Sequence, residues 1–374
     1  MAKKKTRILI IENAIDVTGS VTSIMRSSEY LRRDYDFIFI LPTGSKATMF
    51  IQANGFETHF LAMKEIRKTF LSILFYLPAL LINTLRFRRL VRSVKADLIL
   101  NNDFYNLLPP FYRLFGGKVP YLCYVRFLPA RFPRILVNTW CSLHDQFSAG
   151  VIAVSNAVRD QLPALKHLLL IGNELPLKPV SFNLTNSKII LYPSNFMEGK
   201  GHNEALASFE AIAGKFPEWR LRFIGGDMGL KKNAAYRSAL MRKVDASSAR
   251  DQMECYDFAA DLSPHFNACA FVLIFSRSES FSMTCLEAMY HGRPVVATKS
   301  GGPQEIIDHN VNGILVGIES IKEMSSAIEW LITESGQRAI MSERAYHHVR
   351  EKFSISNTIE KLRDLYDASL KQMK

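Results

Sequence analysis

Two glutamates eight residues apart, Glu279 and Glu287, lie in the stretch Arg277 to Val316, RSESFSMTCLEAMYHGRPVVATKSGGPQEIIDHNVNGILV. The apolar run ACAFVLIFS (268–276) reads as a strand ending just before the first, and a helix is predicted from about Ser282 to His291. Glu279 then falls in the loop at the carboxyl edge of a sheet, beside the helix amino terminus, and Glu287 one to two turns into the helix. A helix amino terminus presents unpaired N–H groups and a partial positive charge, which suits a phosphate. Carboxylates so placed can accept hydrogen bonds from hydroxyls at opposite ends of one extended ligand. Ser300, Gly301 and Gly302 follow a strand at 294–298 and offer a second close backbone approach. Together these residues read as a sugar-nucleotide site.

The elements that must hold this site are short apolar runs alternating with helical patterns, as in a doubly wound sheet. In the first half the predicted strands are ILIIE (8–12), FIFIL (37–41), THFLA (58–62), LILN (98–101), YLCYV (121–125) and GVIAVS (150–155). The second half repeats the scheme with KIILYP (188–193), RLRFIGG (220–226), 268–276, PVVAT (294–298) and ILV (314–316). A polar, Pro-containing stretch from Asn173 to Ser187 reads as a linker. The last predicted helix, about 355–371, is amphipathic.

The ordered block of strand, acidic loop, LEAM helix, G-x-P-V-V-A-T strand, Gly-Gly turn, E-I-I helix and NGILV strand resembles the carboxy-terminal domain of GT-B retaining glycosyltransferases. The specific likeness is to family 4, with its E-x7-E signature. It implies an α/β chain of two Rossmann-like doubly wound domains facing across a cleft. The expected division is an acceptor-binding domain at 1–178, a nucleotide-sugar-binding domain at 179–352, and a helix at 353–374 that crosses back to the first domain.

Carried over residue by residue, the resemblance puts Glu279 on the transferred sugar's hydroxyls and Glu287 on the ribose. The backbone of Ser280, Phe281 and Ser282 would face sugar and phosphates. Lys200, in SNFMEGKGHNEAL, matches the family's lysine and would touch the diphosphate. The family's arginine about five residues earlier is Asn195 here, so either Asn195 hydrogen-bonds the diphosphate with less charge or a neighbour compensates. Gly225 and Gly226 would border the nucleotide, or form a plain turn. Gly19 and Ser20, in Thr18-Gly19-Ser20, occupy the amino-terminal glycine loop, where the family favours two glycines. Arg126 stands where many relatives have histidine. It could bind acceptor or phosphate, but a guanidinium cannot act as general base. That fits a front-face mechanism in which the leaving phosphate accepts the acceptor's proton. Asn173 matches an asparagine at the family's domain junction.

The chain has 374 residues, 48% of them hydrophobic and 22% charged, which describes a globular protein of two ordinary domains. Five cysteines without a C-x-x-C pair argue for reduced thiols in a cytoplasmic setting and against a zinc site. No His, Asp or Glu grouping has metal spacing, so no metal and no cofactor beyond the nucleotide-sugar substrate is expected. Asp34-Tyr35-Asp36 has the D-x-D form of GT-A metal sites but precedes its strand and reads as a solvated turn. His144-Asp145 and His347-His348 read as surface pairs.

Net charge is +12, and residues 1–180 carry all of the excess, with 24 Lys+Arg against 12 Asp+Glu. Lys64, Arg67, Lys68 and then Arg86, Arg88, Arg89, Arg92 and Lys95 bracket the apolar run FLSILFYLPALLI (70–82). Thirteen residues are too few to span a bilayer, which takes about twenty. Apolar residues flanked by cations describe a surface for an anionic membrane face, or a helix with a solvated basic side. Nucleic acid is not expected, since no binding motif accompanies the charge.

The sequence thus points to a cytoplasmic, metal-independent retaining hexosyltransferase, peripheral on the inner membrane face. It would move sugar from a UDP- or GDP-sugar to a glycan or lipid-linked acceptor in polysaccharide or lipopolysaccharide biosynthesis. The alternatives are a nucleotide-sugar epimerase of the same fold and a catalytically silent GT-B partner subunit.

Overall fold

A computed structural model describes residues 5–63, 70–173 and 180–371. The chain divides into two compact units, one of Met1–Glu174 with Ile355–Lys374, the other of Leu175–Ser354. The basic residues Lys64, Arg67 and Lys68, and the linker positions 174–179, lie outside the described residues.

In the first unit the strands are β1 (Thr6–Ile11), β2 (Tyr35–Pro42), β3 (Glu57–Leu61), β4 (Leu98–Asn101), β5 (Tyr121–Val125), β6 (Gly150–Ala153) and β7 (Leu168–Leu170). They form a parallel sheet in the order β3-β2-β1-β4-β5-β6-β7. In the second, β8 (Ile189–Pro193), β9 (Arg220–Ile224), β10 (Met253–Tyr256), β11 (Phe271–Ile274), β12 (Val295–Thr298) and β13 (Ile314–Val316) are also parallel, in the order β10-β9-β8-β11-β12-β13. Parallel strands covered on both faces read as unbroken apolar runs, and Ile8–Ile11, Leu98–Leu100 and Phe271–Leu273 are buried throughout. Each sheet reverses its winding once, between β1 and β4 and between β8 and β11. Ligands bind outside the carboxyl ends of strands at such switch points.

Most predicted strands form within a residue or two of their expected ends, and the long run at 268–276 contracts to β11 because the helix Ser263–Ala268 comes before it. The edge strands β7 and β10 went unpredicted. β10 has the burial of one inward residue followed by three facing partly or fully outward, and carries no strong apolar signal.

The helix Ile355–Lys371 docks on the first unit, and there the solvated-turn expectation holds for Asp34 but is corrected for Tyr35. Tyr35 begins β2 and is buried; its hydroxyl donates to Asp367 Oδ1 at 2.8 Å and its ring meets Tyr366 edge-on at 5.5 Å. Asp34 pairs with Arg363 at 2.7 Å and Asp36 with Arg7 at 3.2 Å. These acids sit at the amino end of their strand, away from the switch point, in half-exposed ion pairs.

His144 is also corrected from surface to core. It is buried on the helix Arg134–Phe147, with Nε2 2.7 Å from the Phe104 carbonyl and Nδ1 3.1 Å from the Tyr121 hydroxyl. A neutral ring satisfies both, donating from Nε2 and accepting at Nδ1. Burial pushes its pKa down to about 4, against the Phe104 hydrogen bond that raises it. The unfolded ring titrates near 6.5, so the unfolded chain takes the proton first. This stabilisation is full above that value and is lost as pH falls toward 4, a contribution on the order of 3 kcal/mol. Denaturant titrations of wild type and His144→Gln between pH 7 and 4.5 should show a shallower acid loss in the variant. Identical slopes would remove His144 from the acid response.

Candidate active site

The switch point of the second unit brings together side chains 79 residues apart. Lys200, in the loop after β8, donates from Nζ to Glu279 Oε1 at 2.6 Å, and both side chains are largely buried. β8 and β11 are neighbours in the sheet, so the loops leaving their carboxyl ends must meet. Tyr192, at the end of β8, fixes the meeting. Its buried hydroxyl accepts from the Phe275 N–H at 3.1 Å and donates to the Lys200 carbonyl. The Arg277 N–H donates to the Gly199 carbonyl at 2.9 Å, closing the same seam.

Two glycines make this approach possible. Gly201 has φ +76° and opens the helix His202–Ala213; a Cβ there would lie 2.2 Å from the Phe275 carbonyl oxygen. At Gly302 a Cβ would lie 2.3 Å from the Phe281 backbone. Glu279 is held by main-chain bonds, its N–H to Ser300 O at 2.9 Å and its carbonyl from the Gly302 N–H at 2.7 Å. Its carboxylate therefore stands on a fixed backbone, with Oε2 left for a ligand hydroxyl. Lys200 likewise has three ammonium donors, of which Glu279 needs one.

Ser280, Phe281 and Ser282 lead from Glu279 into the helix Met283–Tyr290. Phe281 is buried against Phe353, with ring centroids 5.8 Å apart. Ser282 is left-handed at φ +76°, a strained conformation for a residue with a side chain. Its side chain makes no cap hydrogen bond, so it does not occupy the N–H groups of the first turn. Glu287 is half-buried one turn into this helix.

Asn195 is used differently from a phosphate-binding cation. Its Oδ1 accepts from the Gly226 N–H at 3.1 Å, and the Phe196 N–H donates to the Gly226 carbonyl at 2.8 Å. A Cβ on Gly225 would fall 2.0 Å from the Ser194 carbonyl oxygen. Asn195, Gly225 and Gly226 thus form a latch between the ends of β8 and β9, leaving only the Asn195 amide nitrogen to offer outward. His202 stacks on Phe196 at 5.0 Å and binds the Ser194 carbonyl at 3.2 Å. Burial first, and the nearby Lys200 charge, push its pKa down to about 4, so the ring is neutral and donates from Nε2.

In the first unit, Gly19 and Ser20 open the helix Gly19–Leu31 after β1, and Thr18 is its N-cap, with the Val21 N–H 3.4 Å from Thr18 Oγ1. The expected loop is a capped helix start. Arg126 ends up enclosed. Nε donates to Asn102 Oδ1 at 2.8 Å, Nη1 to Asn173 Oδ1 at 2.8 Å and to Ser23 Oγ at 3.1 Å, and the guanidinium lies 4.4 Å over the Tyr124 ring. Arg126, expected at acceptor or phosphate, is thus buried and already engaged by three side chains of its own unit.

Sequence reasoning missed two buried acids near Arg126. Glu12, just after β1, is fully buried; Oε1 accepts from the Ala14 N–H at 2.9 Å and Oε2 from Asn102 Nδ2. Asp103, just after β4, takes the Tyr105 hydroxyl on Oδ2 at 3.1 Å, and its buried Oδ1 has no partner. Burial raises both carboxyls, Asp103 further because the Glu12 charge adds to it, while Arg126 opposes the shift. The available signal was an acid within two residues of the end of each of the two strands that flank the switch point. Among the described residues, no group of three or more His, Cys, Asp or Glu is placed to hold a metal ion.

Residues 177–348 match the family model described as glycosyl transferases group 1. Human alpha-1,3/1,6-mannosyltransferase ALG2 is 41% identical over 96 residues, 26% of this chain and 23% of that protein. The D-inositol 3-phosphate glycosyltransferase of Corynebacterium jeikeium is 28% identical over 188 residues, 48% of this chain and 43% of that protein. These matches span less than half the length of either relative. The crystal structure of Anabaena Alr3699/HepE in complex with UDP-glucose aligns with a TM-score of 0.82 at 17% identity, covering 97% of this chain and 99% of that one. Likeness at that identity shows the fold, which is GT-B.

Two substitutions test the construction. Gly201→Ala should cost about 2–5 kcal/mol, from its left-handed backbone and the overlap with Phe275, and calorimetric unfolding would read it. Arg126→Met should destabilise by about 1–3 kcal/mol, because it leaves the buried Asn102 and Asn173 amide oxygens without their guanidinium donor. A variant of wild-type stability that has lost turnover would instead put Arg126 on a substrate.

Proposed function

From a chain whose residues 177–348 match the family model of glycosyl transferases group 1 and whose fold is GT-B, we propose a retaining hexosyltransferase that uses a UDP- or GDP-sugar. The observation that carries this reading is the Lys200–Glu279 pair at the switch point of the second unit. A lysine and a glutamate joined there offer a cation to a diphosphate and a carboxylate to sugar hydroxyls from one fixed point. The neighbour crystallised with UDP-glucose has the same fold and supports a nucleotide-sugar donor.

Under this reading Lys200 keeps one donor on Glu279 and turns the others to the diphosphate, where negative charge grows as the sugar departs. Glu279 Oε2 accepts from a sugar hydroxyl, Glu287 takes the ribose hydroxyls, and the first turn of the Met283–Tyr290 helix faces the phosphates. The bond from the anomeric carbon to the phosphate oxygen breaks while the acceptor oxygen bonds to the same face. The acceptor's proton passes to the leaving phosphate, so neither a protein base nor a metal is required. The acceptor is a hydroxyl on a glycan or a lipid-linked saccharide.

The Asn195 latch favours one second reading, a silent partner subunit, since it leaves the diphosphate one cation fewer than the resembled family supplies. Turnover separates the two. Calorimetric titration with UDP and GDP, without metal and then with EDTA, should show binding to one nucleotide, followed by sugar transfer with retained anomeric configuration. Binding without transfer to any acceptor would favour the silent subunit, and product formed without an acceptor an epimerase.

Glu287→Ala should weaken nucleotide binding by about 1.5–3 kcal/mol, through loss of a charge-assisted acceptor. Unchanged affinity in a folded variant would refute the site assignment. Lys200→Ala should lower kcat more than it raises KM, because the charge it meets develops in the transition state.

A further inference from the structure

The helix Phe70–Ser93 has two unlike sides. Leu80, Asn83, Thr84, Phe87, Val91 and Val94 point into the first unit; Phe87 meets Tyr112 edge-on at 5.4 Å, and Asn83 Nδ2 donates to the Ala62 carbonyl at 2.9 Å. The opposite arc is uncovered and still apolar. Leu77, Leu81 and Leu85 recur at every fourth position and are 51%, 39% and 61% exposed, with Ile82 beside them at 52%. A helix apolar on all sides belongs inside a protein or against a membrane, and an exposed run of this kind marks a contact surface.

Charge identifies what covers it. From Phe70 to Lys95 the sequence holds five cations and no Asp or Glu. Arg86, Arg89 and Arg92 are exposed on the outward side of the same helix, from the residue after Leu85 to two turns beyond it. Arg88 donates to the Phe115 carbonyl at 2.6 Å, which anchors two further exposed apolar residues, Leu114 and Phe115, at the cationic end. A second copy packed arc to arc would bring no acidic residue from this helix, and a parallel pairing would set cations on cations. A bilayer surface offers both what the leucines need and what the arginines need, acyl chains and anionic headgroups in one plane.

We propose that this arc is a docking surface for an anionic lipid bilayer, with the helix lying in the interface. Its leucines enter the acyl boundary while Arg86, Arg89 and Arg92 reach the headgroups. Among the described residues no helix is long and apolar enough to cross a membrane, so the contact is with one leaflet. The inference is independent of the transferase reading, since vesicle binding needs no donor.

The test is flotation of the full chain with phosphatidylcholine vesicles and with vesicles in which about a third of the lipid is phosphatidylglycerol. The protein should float with the anionic vesicles alone, and less as salt rises. Arg86→Gln, Arg89→Gln and Arg92→Gln together should weaken binding about a hundredfold, roughly fivefold per arginine. Leu77→Ser, Leu81→Ser and Leu85→Ser together should weaken it at least about tenfold, through lost apolar burial. Circular dichroism and thermal unfolding of both variants establish that they are folded. Equal binding to neutral vesicles, no binding to either, or wild-type binding by both folded variants would overturn the proposal. Concentration-dependent dimerisation that the leucine changes abolish, without vesicle binding, would overturn it in favour of a second copy.

Discussion

The second unit is organised around an ion pair that chain topology, not sequence proximity, creates. Lys200 and Glu279 meet because β8 and β11 lie side by side with their carboxyl ends at one edge. A part-buried pair of this kind must recover the desolvation of both charges, which takes close geometry. The surrounding backbone supplies it. The Tyr192 hydroxyl, the Ser300 carbonyl and the Gly302 N–H fix the two loops, and Gly201 and Gly302 remove the Cβ atoms that would hold them apart. The dependence runs both ways, since the carboxylate is held in place only as long as these main-chain contacts survive.

The first unit meets the same topology with the opposite electrostatic solution. At its switch point the acids Glu12 and Asp103 are enclosed with Arg126, and the Asn102 side chain joins them, accepting from Arg126 and donating to Glu12. Burial works against two ionised carboxyls near one cation, and both are raised accordingly. Such a network fixes the ends of β1, β4 and β5 relative to one another and gives little of its charge away. The pair in the second unit keeps spare donors and acceptors, whereas the first unit's network is spent almost wholly on its own architecture.

The sheets were legible because parallel strands buried on both faces leave continuous apolar runs such as LILN and YLCYV. Lys200 and the two glutamates could be singled out because the ordered block around them resembles family 4 and the K-G pair matches the family's lysine. Edge strands β7 and β10 were not legible, being short and half exposed. His144 was misread because an isolated polar residue in a helix shows no periodicity of its own, and only the Phe104 carbonyl and Tyr121 hydroxyl make its burial affordable. Asn195 was legible as a departure but not as a latch, because its partner Gly226 is 31 residues away. Side chains that serve through distant backbone groups leave no local signature.

The latch bears on the chemistry more than the missing charge does. With Asn195 Oδ1 committed to the Gly226 N–H, the end of β8 is pinned to the loop after β9, and the position cannot swing toward a phosphate without breaking that bond. A cation there would add Coulombic attraction but would give up the amide oxygen that holds the Gly226 N–H. Ser282 is the complementary case. Its left-handed backbone stores strain and turns the chain from Glu279 into the Met283–Tyr290 helix without using a side-chain cap, so the first turn's N–H groups remain for another acceptor. Under the proposed reading, a site with one lysine and an uncapped helix start must draw much of its affinity for a diphosphate from main-chain dipoles. Those dipoles are fixed before any ligand arrives, which is the condition under which they stabilise developing charge without reorganisation.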